Sequence, residues 1–460
     1  MNNYVGVDLG TSAVKLILID EAGTILKTVS KEYPLSSPHP SWSEQDPADW
    51  WDGVVTGLKE LLDGTDPASV KGIGVGGQMH GLVMLDENDE VLRPAILWND
   101  TRTGEETAFL NDVVGKGTLQ SRTGNIAFAG FTAPKVLWVR KNEPDVIKRC
   151  RKVCLPKDYI NYKLTGVFAT DVSDASGTLY FDVEHRCWSA EMLETLGLKE
   201  DWLPKVFESG EVIGTTTLLG MDAKVVAGAG DNAAAAMGTG TVSEGQCNIS
   251  LGTSGTVFLP TDEYVRTTNP ALHSFCHANG KYHLMGCILS AASCNKWLNE
   301  TVLESSYDVG TGDPENEVYF LPYLSGERCP HNDGDVRGAF IGLSHTTSRE
   351  DLQLAVFEGV SFAIKDCIAL CPQGVSTATV CGGGTKSKAW MQVLSNVLGI
   401  ELKVIANEGP AYGGALLAAD LSCEPQVEYT VEPDLQTAAL YVRKYEKYQQ
   451  LYPMLKDFYH

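Results

Sequence analysis

Leu-Gly-Thr-Ser occurs twice in this chain, at residues 9–12 and 251–254. Each copy follows an apolar, strand-forming run (residues 4–8 and 246–250) and precedes another (14–19 and 256–259), so each reads as a β-hairpin with a turn of small and hydroxylated residues. Such a turn lets backbone N–H groups and hydroxyls approach a phosphate closely. Gly10, Thr11, Ser12 and Lys15 in the first copy, and Gly252, Thr253 and Ser254 in the second, are therefore candidate nucleotide contacts. A matched pair of this kind constrains the fold to two similar halves facing one nucleotide. The copies differ just before the repeat, where Asp8 stands in one and Ser250 in the other. One nucleotide needs one metal-side carboxylate, and Asp8 is the candidate for it. Length agrees with duplication: 460 residues exceed one ordinary core, and the expected domains run over residues 1–240 and 241–460.

Between the repeats lies a Val-rich run, a Gly-x-Gly turn, the pair Asp231-Asn232, and an Ala-rich stretch that stops at Gly238. This reads as strand, turn, helix, with Asp231 at the helix start, where an acid is ordinarily an N-cap. Glycines also end the strand at residues 71–77, just before Gln78, Met79 and His80; Gln78 and His80 could hydrogen-bond hydroxyl groups there, or belong to a solvated turn. The run at 94–102 repeats the pattern, with Trp98 able to offer an apolar face to a sugar while Asn99 and Asp100 face its hydroxyls; a core tryptophan followed by a polar turn is the other reading. In the second half, residues 378–387 read as strand, triple glycine (Gly382, Gly383, Gly384) and helix, a seat for an anion or nucleotide. Residues 412–419 form a second Gly-led, Ala-rich helix, placed as the central one is. Residues 171–177 read as a polar loop, 321–328 as a turn-rich loop, and 437–458 as an amphipathic helix.

The net charge of −23 repels phosphate backbones and anionic membranes, so nucleic acid and membrane are not expected partners. A nucleotide can still bind where Gly-rich backbone and Mg²⁺ supply local positive potential. No apolar run approaches the ~20 residues of a membrane span, and the N-terminus lacks a signal-peptide pattern. The 12 cysteines are scattered without Cys-x-x-Cys, and Cys150/Cys154 and Cys367/Cys371, at helical i,i+4 spacing, read as packing residues of a reduced, cytoplasmic protein. A homodimer is compatible with these features and not required by them.

Together the motifs resemble the FGGY family of carbohydrate kinases, within the actin, hexokinase and Hsp70 ATPase superfamily. Residues 130–142 are similar to its N-terminal signature and 382–392 to its C-terminal one; residues 42–47, 78–81 and 97–100 are most similar to the members that phosphorylate D-xylulose. The resemblance implies an α/β protein of two ribonuclease-H-like domains with an interdomain cleft, binding ATP with Mg²⁺ mainly on the second domain and a ketopentose mainly on the first. It implies Asp231 as catalytic base, Met79 and His80 as the substrate-binding pair, and Asp8 as an activity-critical acid. The implied reaction moves the γ-phosphate of ATP to the C5 hydroxyl of D-xylulose. Asp231 is expected to be ionised, because a helix start lowers a carboxylate's pKa. The chain departs from the family at Leu394-Ser395-Asn396, where relatives often carry Ala-Asp. Two alternatives are a family kinase for ribulose, a deoxy-ketose or a polyol, and a non-catalytic sugar sensor or actin-like assembly protein.

Overall fold

The computed structural model describes residues 2–304, 312–406, 409–422 and 424–460. Two mixed sheets carry the chain. In the first, β1 (Asn3–Leu9), β2 (Ala13–Asp20) and β3 (Ile25–Glu32) form an antiparallel meander. After helix α1 (Pro47–Leu61), strand β4 (Val70–Gly77) joins parallel to β1. Helices α2 (Thr132–Asn142) and α3 (Pro156–Thr165) precede β5 (Val212–Thr216) and β6 (Ala223–Val226), and β6 runs parallel to β4. The chain then enters α4 (Asp231–Gly238).

The second sheet repeats the plan. Its meander is β7 (Gln246–Leu251), β8 (Gly255–Thr261) and, after β9 (His273–Cys276), β10 (Tyr282–Ile288). Helices α5 (Ala292–Trp297) and α6 (Arg349–Ala369) lead to β11 (Thr377–Cys381), parallel to β7. Helix α7 (Lys388–Leu398), strand β12 (Leu402–Ile405) and helix α8 (Pro410–Ala419) follow, and β13 (Val427–Val431) with α9 (Leu435–Tyr459) ends the chain. The spatial order β3-β2-β1-β4-β6 is matched by β10-β8-β7-β11-β12, so the duplication seen in two turns extends to whole sheets.

Each element has a local cause. Asp46 caps α1 by accepting from the Ala48 N–H, with Pro47 opening the helix. Ser348 and Asp351 form the capping box of α6, and a Cβ on Gly359 would stand 2.2 Å from the Phe320 carbonyl oxygen, so that glycine marks close approach to the 319–321 strand. Trp50, Val54 and Leu58 of α1 and Ile160 of α3 bury one face of the first sheet. Its other face is covered by α8, from the second half of the sequence, through Ile17, Ile19, Ala411 and Ala415. Contact there is backbone on backbone: a Cβ on Gly6 would lie 1.7 Å from the Ala411 oxygen, and one on Gly413 would lie 1.8 Å from the Ala234 oxygen of α4. The two Gly/Ala helices therefore pack on each other at the junction of the lobes rather than each staying with its own half.

Some expectations are corrected. Residues 171–177 are not an open loop: they form a short helix and a 3₁₀ turn, and all of them are buried. Cys150 and Cys154 do not share a helix, since Cys154 sits in a strand at 152–154. The 11 cysteines among the described residues form no disulfide with one another. Among the described residues no helix is long and apolar enough to cross a membrane.

Candidate active site

The first hairpin turn is held from behind. Gly10 N–H bonds the Ala13 carbonyl, while the Tyr33 hydroxyl donates to the Gly10 carbonyl and the Gln45 amide donates to the Thr11 carbonyl at 2.6 Å. With these carbonyls engaged, Ser12 is left exposed at the tip. The Gln78 side chain also turns to this hairpin, with its amide 3.4 Å from the Gly10 carbonyl and 3.2 Å from Gln45 Oε1. It is buried, and reaches the turn rather than a sugar-facing surface. Trp98, half exposed, donates Nε1–H to Thr11 Oγ1 at 2.9 Å, joining the two motifs. Asn99 is exposed beside it. Asp100 does not face the cleft: it is fully buried, paired with Arg102 at 2.6 Å and accepting from the Ser43 N–H.

Strand β4 places the next residues. Met79 is buried against Gly230, and His80 takes a left-handed φ of 69°. Holding a non-glycine residue there needs support, which the Lys135 ammonium (2.8 Å) and the Thr132 hydroxyl (3.2 Å) give by donating to the His80 carbonyl. The His80 ring packs on Phe131 at 4.7 Å and lies 2.8 Å through Nδ1 from the Gly177 carbonyl. A carbonyl only accepts, so Nδ1 carries the proton and Nε2 is an acceptor with no protein partner among the described residues. Burial, with the Lys135 and Arg328 cations nearby, pushes the ring's pKa down to about 3, so the imidazole stays neutral.

Asp231 opens α4 as its first residue, with Gly230 in the capping position. Its Oδ1 accepts from the N–H of Asn232 at 2.7 Å and from the Asn232 side-chain amide at 2.9 Å; that amide also lies 3.9 Å from Met79 Sδ. The other carboxylate oxygen has no protein partner among the described residues. Burial outweighs the helix start and raises the Asp231 pKa to about 6, correcting the expected lowering. Asp8, cross-strand from Lys15, rises to about 7, mainly through burial and then through the nearby Asp231 charge, with Lys15 opposing. Residues 229–230 pair with β4 at Gly76 and Gly77, and Asp8 pairs with Gly76 from the other side. Asp8 and Asp231 thus flank the end of one strand.

In the second lobe the Gly252 and Thr253 carbonyls are taken by the N–H groups of Ala292 and Ala291, and Ser293 Oγ also donates to the Thr253 carbonyl. Thr253 and Ser254 remain exposed. Gly382 follows β11, and Gly383 and Gly384 begin a 3₁₀ turn; α7 starts only at Lys388, capped by Ser387. A Cβ on Gly383 would meet nothing within 4 Å, which leaves that edge open. Asn396 is used internally, accepting from Gln392 and from the Asp434 N–H. The structure therefore groups Asp8, the first turn, Trp98, Met79, His80, Asp231 and Asn232, sets the second turn beside Gly382–Gly384, and turns Gln78 and Asp100 into supports.

Residues 3–238 match the model of the FGGY carbohydrate kinase N-terminal domain, and residues 247–420 match that of the C-terminal domain. The chain belongs to the FGGY family of carbohydrate kinases. Among FGGY relatives, the xylulose kinase of Escherichia coli (strain K12) is 41% identical, with 98% of this chain and 99% of that protein covered. The xylulose kinase of Bacillus subtilis (strain 168) is 35% identical, covering 100% of this chain and 97% of that one. The crystal structure of a xyloylose kinase from Brucella ovis superposes with a TM-score of 0.93 at 40% identity, covering 99% of this chain and 100% of that chain.

Two residues escaped the sequence reading. Gly177 sits where a Cβ would lie 2.3 Å from His80 Cε1, and its burial in a turn far along the chain left no local signal. Gly177→Ala is expected to push the imidazole aside and raise the sugar KM on the order of 10–100-fold, with a much smaller change in the KM for ATP, measured by coupled assay. Arg328 lies in the turn-rich segment 321–328, and its guanidinium rests over the Phe128 ring of the first lobe, a partner 200 residues away in sequence.

Proposed function

We propose that this kinase transfers the γ-phosphate of ATP to the C5 hydroxyl of D-xylulose, giving D-xylulose 5-phosphate and ADP. The observation that carries the reading is that the Asp231 carboxylate and a neutral His80 with an acceptor Nε2 both stand just beyond the paired strand ends, linked through Met79, which packs on Gly230 and lies 3.9 Å from the Asn232 amide. An acid with pKa near 6 is ionised at neutral pH yet basic enough to hold a hydroxyl's proton. The xylulose kinases that align along nearly the whole chain favour the ketopentose over other acceptors.

In this reading His80 Nε2 accepts a hydrogen bond from one sugar hydroxyl and fixes the ring-facing side of the substrate. Asp231 accepts the hydrogen bond of the C5 hydroxyl through the oxygen that Asn232 leaves free. As the C5 oxygen bonds to the γ-phosphorus, the bond from that phosphorus to the β–γ bridging oxygen breaks and Asp231 takes the proton. Transfer of this kind has a loose transition state, so alignment and charge neutralisation dominate. Thr11, Ser12, Thr253 and Ser254, exposed or half-buried at the two turns, donate to phosphate oxygens. Gly382, Gly383 and Gly384 border the nucleoside.

Asp8 suits Mg²⁺: a carboxylate with a raised pKa beside a second acid gains most from a nearby cation. No cluster of three His, Cys, Asp or Glu side chains among the described residues could hold a metal alone, which fits an ion held by one carboxylate plus phosphates. Asp8 would hold the ion, which would supply positive charge against the negative charge of the phosphates. The protein acts in the cytoplasm, where ATP is available.

The test is a coupled ADP-release assay over D-xylulose, D- and L-ribulose, a 1-deoxy-ketose, glycerol and erythritol. D-xylulose is expected to give the highest kcat/KM, by at least about ten-fold. A higher value with any other acceptor reassigns the substrate, and no sugar-dependent ADP release at all returns the protein to a non-catalytic role.

A further inference from the structure

The second lobe contributes a cation to the aromatic wall that carries His80. Arg328 stands in the segment after the 319–321 strand, and its backbone is fixed on three sides. Its N–H donates to Glu327 Oε1 at 2.7 Å, its carbonyl accepts from Asn332, and the next residue, Cys329, hydrogen-bonds the β10 residue Cys287 at 3.0 Å. Glu327 is buried and bonded in both directions to Asp333, so the short segment cannot swing freely. From this base the guanidinium crosses to the first lobe and lies 4.7 Å above the ring of Phe128.

Phe128 contacts Phe131 at 5.4 Å, and Phe131 contacts His80 at 4.7 Å. From the second lobe, His273 packs on Phe128 at 4.9 Å and Phe275 packs on Phe131 at 6.2 Å. Both His80 and His273 feel the Arg328 charge, which helps to hold them neutral. Arg328 is half-buried, with its guanidinium over the Phe128 ring and its hydrogen bonds to Glu327 and Asn332 made by the backbone; among the described residues its guanidinium forms no ion pair within 4.0 Å and no side-chain hydrogen bond. An arginine carries five N–H donors in one plane, and one stacked on a ring keeps the in-plane donors free. The surroundings offer it aromatic faces, neutral imidazoles and, at longer range, the buried Glu327 carboxyl, on which its charge acts without an ion pair within 4.0 Å.

Resting on the ketose kinase reading above, we infer that Arg328 is a sugar-specificity residue, whose guanidinium donates hydrogen bonds to oxygens of the ketose seated between His80 and Asp231. The sugar is then gripped by donors and acceptors of opposite lobes: His80 and Asp231 accept from it on one side, and Arg328 donates to it from the other.

The experiment measures D-xylulose binding to the full-length protein by calorimetry without nucleotide, alongside the KM values of both substrates. R328M keeps a long apolar stem on Phe128 and removes every donor. It is expected to raise the Kd and KM for D-xylulose about 10–100-fold, the range for losing charge-assisted hydrogen bonds, while the KM for ATP stays within about two-fold. R328K, with a charge but no fork, is expected to recover part of the loss. Phe128→Leu, which keeps the arginine and removes its seat, is expected to weaken D-xylulose several-fold, and this variant decides the matter if R328M does not fold. An unchanged Kd for D-xylulose in folded R328M, or in Phe128→Leu if R328M is lost, overturns the inference, as does a defect confined to the KM for ATP. A wild-type protein that releases no ADP with any ketose overturns the underlying reading instead, so the two failures are distinct.

Discussion

Asp231→Asn is expected to lower turnover roughly 10³–10⁴-fold while leaving D-xylulose and ATP binding within a few-fold of wild type. The replacement keeps an oxygen for the Asn232 N–H, so the start of α4 is preserved and only the proton acceptor is lost. The wild-type acid limb provides an independent check. A base must be ionised, and the Asp231 pKa of about 6 places the fall of kcat/KM near pH 6 rather than near the usual aspartate value of 3.8. The same shift has a stability consequence whose sign is fixed. The folded protein holds its proton up to about pH 6 and the unfolded chain releases it near 3.8, so stability from this group is present below 3.8 and is lost as pH rises through 6. Asp231→Asn removes that burden and is expected to be more stable than wild type at pH 8 by about 2 kcal/mol, with the gain vanishing toward pH 4. Thermal melts at the two pH values check this without any activity measurement. A variant that phosphorylates D-xylulose at near wild-type rate removes Asp231 from the mechanism.

Gly413→Ala is expected to be among the most destabilising single methyl additions in the chain. Its Cβ would stand 1.8 Å from the Ala234 oxygen and 2.6 Å from the Ala234 carbonyl carbon, both backbone atoms of α4. Relief by moving α8 away from α4 is blocked on the sheet side. There the Ala411 oxygen already sits 1.7 Å from the Cβ position of Gly6, and the Gly414 oxygen lies 2.0 Å from that of Gly74. Overpacking with no flexible neighbour to give way costs about 3 kcal/mol or more, roughly a 10 °C loss in melting temperature for lobes of this size. Gly117→Ala is the control, because a Cβ there meets nothing within 4 Å and alanine favours its helix. Equal melting temperatures for the two variants would refute the close approach of α4 and α8. Since α4 begins with Asp231, turnover is expected to fall together with stability in Gly413→Ala.

Much of the fold was legible because its signals are local. The two hairpin turns, the Asp46-Pro47 start of α1, the capping box of α6 and the Ala-rich run after Asp231 each declare themselves within a few residues. What was not legible depends on partners distant in sequence. Gln78 reads as a sugar donor until Gln45 and Gly10 are seen to take its amide, and Asp100 until Arg102 is seen to claim its carboxylate. Residues 171–177 are polar enough to suggest a loop, but Asp171 accepts from Ser173 and Ser209 and pairs with Lys157 at 3.1 Å, so the polarity is spent inside the protein. The lowered Asp231 pKa expected from a helix start failed because burial, invisible in a window of residues, is the larger effect. Arg328 gave no pattern at all, since its meaning lies in Phe128 of the other lobe.

The placement of α8 on the first sheet also sets an order of events during synthesis. All strands of that sheet have been synthesised once residue 230 is made, yet the helix that covers Ile17 and Ile19 is not complete until residue 419. The nascent amino-terminal half must wait with a glycine-lined groove uncovered, and it closes only when nearly the entire polypeptide is available.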